Sequence, residues 1–283
     1  MKKILFLFLF FSIYACSSSH SSSSIYESSF KDDSSQTTLD SAESSFIDSS
    51  KEEITVLEVK DDYALINVNG NHIKYYADYI IDGEVIKTDK ILYVNETPLA
   101  SNFLIINGGK LIVNETTIVK KGESKGNEEL LKHGVNSSIV VIGENSQVEI
   151  NQSVINVFSS YASGVSCIGG GSALINNLDI LVISDFSHAF STFSNGIIIS
   201  NYVLVLLDGD KSSAFCLYEK NGLIQLTGSN NYIEVHGNDV LVGKVISGVL
   251  RLENLYGSSE AEELYSVSEN AILTLEDVLI KES

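Results

Sequence analysis

The chain reads as an all-β protein, a right-handed parallel β-helix solenoid with three short strands in each coil of about 25 residues. Three observations predict it. From Glu53 onward short apolar runs (ITVLEV, YALINV, ILYV, FLII, KLIV, SIVVI, QVEI) alternate with Gly, Asn, Asp and Ser, with hardly any helical periodicity. Val140, Val165, Phe190, Phe215, Val240 and Tyr265 recur at intervals of 25, and are expected to form one core stack; self-similarity at such a period marks a solenoid. Asn151, Asn176 and Asn201 follow the second strand of successive coils at the same interval, so their amides are expected to stack as an asparagine ladder.

In chain order, residues 1–15 have the form of a lipoprotein signal peptide: Lys2 and Lys3, the apolar run Ile4 to Phe11, then Ile13-Tyr14-Ala15-Cys16. An apolar run of about ten residues is too short for a spanning helix, which needs ~20. Cys16 is the expected lipidation site, a lipid bilayer the expected partner through its acyl chains, and the cell envelope, exposed at the surface, the expected location. Tyr14 departs from the usual small residue of a lipobox, and ordinary signal cleavage is the alternative. Residues 16–52, rich in Ser and acid, lack the apolar groups needed to offset ordering entropy and are expected to be a tether. Residues 53–100 are expected to form an N-terminal β cap with the first coils, and residues 101–283 the solenoid, about nine coils in all at 25 residues per coil. Between Ile105 and Val140 the spacing is ten residues longer than a coil; the extra piece Gly122 to Gly134, with Glu128-Glu129-Leu130-Leu131-Lys132, is expected to protrude as a loop.

Charge excludes one class of partner. The 283 residues carry 18 Lys+Arg against 37 Asp+Glu, a formal net charge of -19, and nucleic-acid binding requires clustered basic residues. Three cysteines are too few for a disulfide scaffold and lack zinc-site spacing. Strand alternation from Val165 and Phe215 points Cys167 inward and Cys216 outward, so no bridge between them is expected.

The coil pattern, Ala189-Phe190 through Gly196-Ile197-Ile198-Ile199-Ser200-Asn201 and Gly164-Val165 through Ala173-Leu174-Ile175-Asn176, resembles secreted right-handed β-helix proteins of gut and oral anaerobic bacteria, adhesin-like or pectate-lyase-superfamily in shape. The likeness covers about residues 100 to 283. It implies the fold and a surface or secreted setting, and little about activity.

Chemistry-bearing residues are sparse. Asp185 and Asp210 are 25 apart, with Asp208 and Lys211 beside them; two stacked carboxylates repel unless a proton or a cation lies between them. Asp185, Asp208 and Asp210 therefore either hold a Ca²⁺, with a backbone carbonyl, or are solvated turn residues. His188 aligns with Ser163 and Ser213 and reads as a turn residue rather than a base. Tyr161, Phe186, Tyr202, Tyr218, Tyr232 and Tyr256 either form a sugar-stacking stripe or, for Tyr202 and Tyr232 above all, pack half-buried. No catalytic residue is assigned. These features favour a non-catalytic, adhesin-like surface lipoprotein that binds a glycan or an extracellular matrix ligand, with a calcium-dependent polysaccharide lyase as the alternative.

Overall fold

The computed structural model describes residues 53–122 and 126–282. Cys16, the signal segment and the tether lie outside these residues. The described chain is nearly all β, a solenoid of about 8 turns with coils about 25 residues apart. Its first wall consists of parallel strands, including Ala100–Ile106, Ile139–Ile142, Ser163–Ile168, His188–Phe193, Ser213–Leu217, Leu241–Val245 and Tyr265–Val267. The second and third walls are separate strands at the two ends of the solenoid. In the middle they merge into the long strands Gln147–Val157, Ser172–Ile183 and Ile197–Asp208. Each long strand turns its corner at a residue with left-handed backbone, Gln152, Asn177 or Tyr202, with φ of 49°, 65° and 66°.

Fewer turns form than the length suggests because the first strands do not coil. β1 (Ile54–Val59), β2 (Tyr63–Val68) and the first half of β3 (Asn71–Asp82) make an antiparallel meander; only the second half of β3 pairs in parallel with Ala100–Ile106. The meander lies against the outer face of the first wall, where Ala64, Ile66, Val68 and Tyr75 share a buried cluster with Leu104, Ile106, Val140, Ile142 and Ile168. Ile54 packs so closely on Gly169 that any Cβ there would collide with it. At the N-terminal end of the bore, the exposed Tyr79 and half-buried Tyr93 pack on the buried Phe103, the three ring centroids 4.8 to 5.3 Å apart.

Inside the walls, the register departs from the strict period. Val165, Phe190 and Phe215 lie opposite one another on successive coils, the two phenylalanine rings stacked at 5.9 Å and 9°. Ile139 rather than Val140 stands beside Val165, because strand alternation turns Val140 to the outer cluster. On the other side Gly243 rather than Val240 follows Phe215, and Tyr265 follows Gly243; Val240 is buried in the turn before that strand. The longer coil between Phe215 and Gly243 explains the slip. A Cβ on Gly243 would come within 3.2 Å of the Tyr265 ring and 2.7 Å of Leu250, so the glycine makes room for both.

At the corner between the second and third walls, Asn151 Nδ2 donates to Asn114 Oδ1 at 3.0 Å and Asn176 Nδ2 to Asn151 Oδ1 at 3.2 Å. The amide column thus begins one coil earlier than the sequence period indicates, and Asn201 continues it in register. Cys167 faces the interior core and Cys216 the outer cluster. Both are free thiols, and both are buried; burial pushes the Cys216 thiol up to about 12.

Candidate functional site

The outer face of the first wall is where chemistry-bearing side chains meet. Within each of three consecutive strands two adjacent residues, Gly164-Val165, Ala189-Phe190 and Ala214-Phe215, are in or against the interior. That irregularity leaves Ser163, His188 and Ser213 aligned before it. His188, expected in a turn, is the first residue of the strand His188–Phe193 and is 3% exposed. Its Nε2 lies 2.6 Å from the Tyr218 hydroxyl, and its Nδ1 2.7 Å from Ser213 Oγ. Burial, with the Lys244 ammonium nearby, pushes its pKa down to about 3. A neutral imidazole accepts one hydrogen bond and donates one, which this pair of partners satisfies.

The insertion that the spacing flags does not protrude. Helix α1 (Glu128–Lys132), capped by Asn127 Oδ1 accepting from Leu130 N at 2.9 Å, folds back over the wall. Leu131 is buried in the outer cluster, and the His133 ring sits 4.5 Å from Phe193. Lys132 Nζ meets Glu219 at 2.7 Å and lies 5.1 Å from the Phe193 ring centroid. Further along the solenoid, Lys244 Nζ meets Glu128 Oε1 at 3.4 Å. The physical reason is the apolar outer row Ile168, Phe193 and Tyr218, which would otherwise face water and which an amphipathic turn can cover.

Between this strap and the corner leading into the first wall runs a cleft of ≈ 370 Å³, lined among others by Leu131, Tyr161, Phe186, His188, Lys211 and Lys244. One rim is built by repetition. Tyr161, Phe186, Lys211 and Asp239 occupy matching corner positions and all have left-handed backbone, φ 54° to 56°. The amides of the first three each donate to a carbonyl of the next coil: Tyr161 to Asp185, Phe186 to Asp210, Lys211 to Asn238. This conformation costs an L-residue roughly 1–2 kcal/mol and would suit Gly or Asn better. Tyr161, packed on the outer cluster, and Phe186 are both half-buried and stack at 4.7 Å and 4°, with Lys211 Nζ 5.4 Å from the Phe186 centroid.

Asp185 and Asp210 stack on the neighbouring edge. Asp185 Oδ1 accepts the Asp210 amide at 2.9 Å, and Asp210 Oδ1 accepts the amide and side chain of Asn238 at 2.8 and 2.9 Å. Asp208 ends its strand opposite His236. Among the described residues no three His, Cys, Asp or Glu side chains converge as a metal-binding group. Tyr202, Tyr232 and Tyr256 are 42%, 39% and 45% exposed, so each is about half-buried, with Tyr232 opposite Tyr256 on adjacent coils. Of the aromatic residues flagged by sequence, the cleft gathers Tyr161, Phe186 and Tyr218 and leaves the other three outside it.

Lys120 is a group the sequence does not flag. It is fully buried, donating from Nζ to Asn95 Oδ1 at 2.9 Å and to the carbonyls of Thr97 and Lys121 at 2.8 Å each. Burial pushes its pKa down to about 8. A lone Lys in an apolar strand carries no sequence signal that its neighbours supply three acceptors.

No protein-family model matches the chain, and no curated protein matches it. Among solved structures, the crystal structure of a TibC-catalyzed hyper-glycosylated TibA55-350 fragment is 15% identical, covering 72% of this chain and 99% of that one. The TM-score of that match, 0.12, is too low to carry an argument. No helix among the described residues is long and apolar enough to cross a membrane.

Proposed function

We propose that this protein is a bacterial surface lipoprotein whose β-solenoid is a non-catalytic, adhesin-like binding element, with a glycan or a glycosylated extracellular matrix ligand held in the cleft beside the strap. The observation that carries the reading is the parallel Tyr161–Phe186 pair, stacked at 4.7 Å on a left-handed corner that favours neither residue. Left-handed corners recur along the solenoid, at Gln152 and Tyr202 among others, so it is the aromatic pair at the rim of the cleft, not its backbone, that supports a ligand here. Aromatic rings with a hydroxyl and charges beside them suit a pyranose, whose C–H groups pack on apolar surface and whose edge carries hydroxyls. His188 supports binding over catalysis. With both ring nitrogens engaged and its pKa near 3, it is not poised to move a proton at neutral pH.

Binding of the purified ectodomain to a glycan and matrix-protein array tests the proposal. Phe186→Ala should weaken the strongest glycan signal by about tenfold, the loss expected for one aromatic stacking contact of ~1.4 kcal/mol. Unchanged binding in Phe186→Ala would place the ligand elsewhere. The lyase alternative is tested by assaying polysaccharide turnover, with and without Ca²⁺, in the wild type and in Asp185→Ala/Asp210→Ala. Reproducible turnover lost in the double variant would replace the present reading.

A further inference from the structure

We infer that the cleft selects a saccharide bearing a carboxylate, and that Glu128 of the strap is a built-in substitute for that group. This rests on the glycan reading above and goes further, to what the ligand must carry. Four charged side chains line the cleft: Lys211, Lys244, Glu128 and Asp239. Asp239 ends the rim column, one position beyond Lys211. Lys244 projects from the wall strand Leu241–Val245, with its side chain 34% exposed, and meets Glu128 Oε1 at 3.4 Å. The Glu128 carboxylate, 73% exposed, reaches in from the first turn of α1. An ion pair this open contributes about 0–1 kcal/mol, so an incoming carboxylate can displace Glu128 from Lys244 at small cost. A sugar held against the Tyr161–Phe186 rim would set its carboxylate on Lys244, which lines the same cleft, with Lys211 as a second cation.

The strap does not depend on the displaced contact. Lys132 remains bound to Glu219 at 2.7 Å, Leu131 remains in the outer cluster, and the His133 ring remains on Phe193. Glu128 can therefore swing out while its helix stays in place, and Glu128→Gln removes the internal competitor without unroofing the cleft.

The test is calorimetric titration of the full chain with three probes: a glucuronate-ended oligosaccharide, its methyl ester, and the glucose-ended counterpart. The acid should bind about tenfold more tightly than either neutral probe, the worth of one charge-assisted hydrogen bond. Glu128→Gln should tighten the acid alone, by ~2- to 5-fold. Lys244→Met should remove most of the acid's advantage over its ester, the remainder being carried by Lys211. Equal affinity for acid and ester in the wild type overturns the inference and leaves the glycan reading standing. So does a Glu128→Gln variant that binds the acid no more tightly. Failure of all three probes, together with an array free of glycan signals, removes the glycan reading itself.

Discussion

His188 shows how one residue's environment sets a property of the whole protein. Its folded pKa, about 3, lies below the ordinary histidine value of ~6.5 because the charged form loses hydration in the buried strand. Its contribution to stability is therefore complete above pH ~6.5 and is lost as pH falls towards 3, where the unfolded chain takes up a proton that the folded chain refuses. One such proton gives a slope of about 1.4 kcal/mol per pH unit between those values. His188→Gln, which retains a donor and an acceptor, should flatten the stability profile by that amount between pH 6 and pH 4, measured by urea unfolding. A profile unchanged by the substitution would mean that the imidazole is solvated. His236 acts in the opposite sense: its contacts with Glu234 and Glu260, 3.0 and 3.3 Å away, raise its pKa. Its smaller contribution is present below ~6.5 and fades as pH rises through the raised value, so the two histidines are separable by the direction of their pH dependence.

At the scale of elements, the strap and the meander convert one wall of the solenoid into an inner layer. A solenoid wall exposed on its outside alternates apolar-in with polar-out, yet Ser163–Ile168 and His188–Phe193 are buried at every position. Leu131 is the apolar anchor of the strap, 3% exposed in a cluster that also holds Cys216. Leu131→Ala should cost about 2–5 kcal/mol if the layer responds as a packed core. It should also raise the native-state reactivity of Cys216 towards a thiol reagent, leaving Cys167 protected inside the bore. Equal protection of the two thiols in the variant would show that the strap does not shield the wall. The insertion's length was legible in the sequence, but its position was not. An amphipathic segment of five residues gives no indication of which apolar row it will cover, because that row forms only when Ile168, Phe193 and Tyr218 are brought together by coiling.

For the molecule as a whole, the proposal is a lipid-anchored protein whose solenoid carries a binding cleft on one wall. The anchoring half of that proposal is testable without any ligand. Palmitate fed to a bacterial host should label the protein, and Cys16→Ser should abolish both the label and membrane retention; label persisting in the variant would show that Cys16 is not the acceptor. The C-terminal end of the solenoid is kept from extending. The last coil carries Glu276, Asp277, Lys281 and Glu282 on or beside its edge strands Ala271–Glu276 and Leu279–Glu282, and charges there oppose edge-to-edge pairing. At the first coil Tyr79 and Tyr93 pack on Phe103, and the buried Lys120 ammonium donates to the Thr97 carbonyl, while Val85 and Leu92 stay 64% exposed.

The sequence by itself determined the class of fold, the period and the corner columns, because in a solenoid each coil meets only its neighbours and a repeat in the chain becomes a repeat in space. Asn151 meets Asn176 for that reason alone. Contacts that break the period were decided by the tertiary structure. The register slip at Gly243 follows from a longer coil and the space taken by the Tyr265 ring. In the cleft Glu128 meets Lys244, 116 residues apart in sequence. Such a pairing depends on where a non-repeating segment finds uncovered apolar surface, and that surface exists only after the coils have stacked.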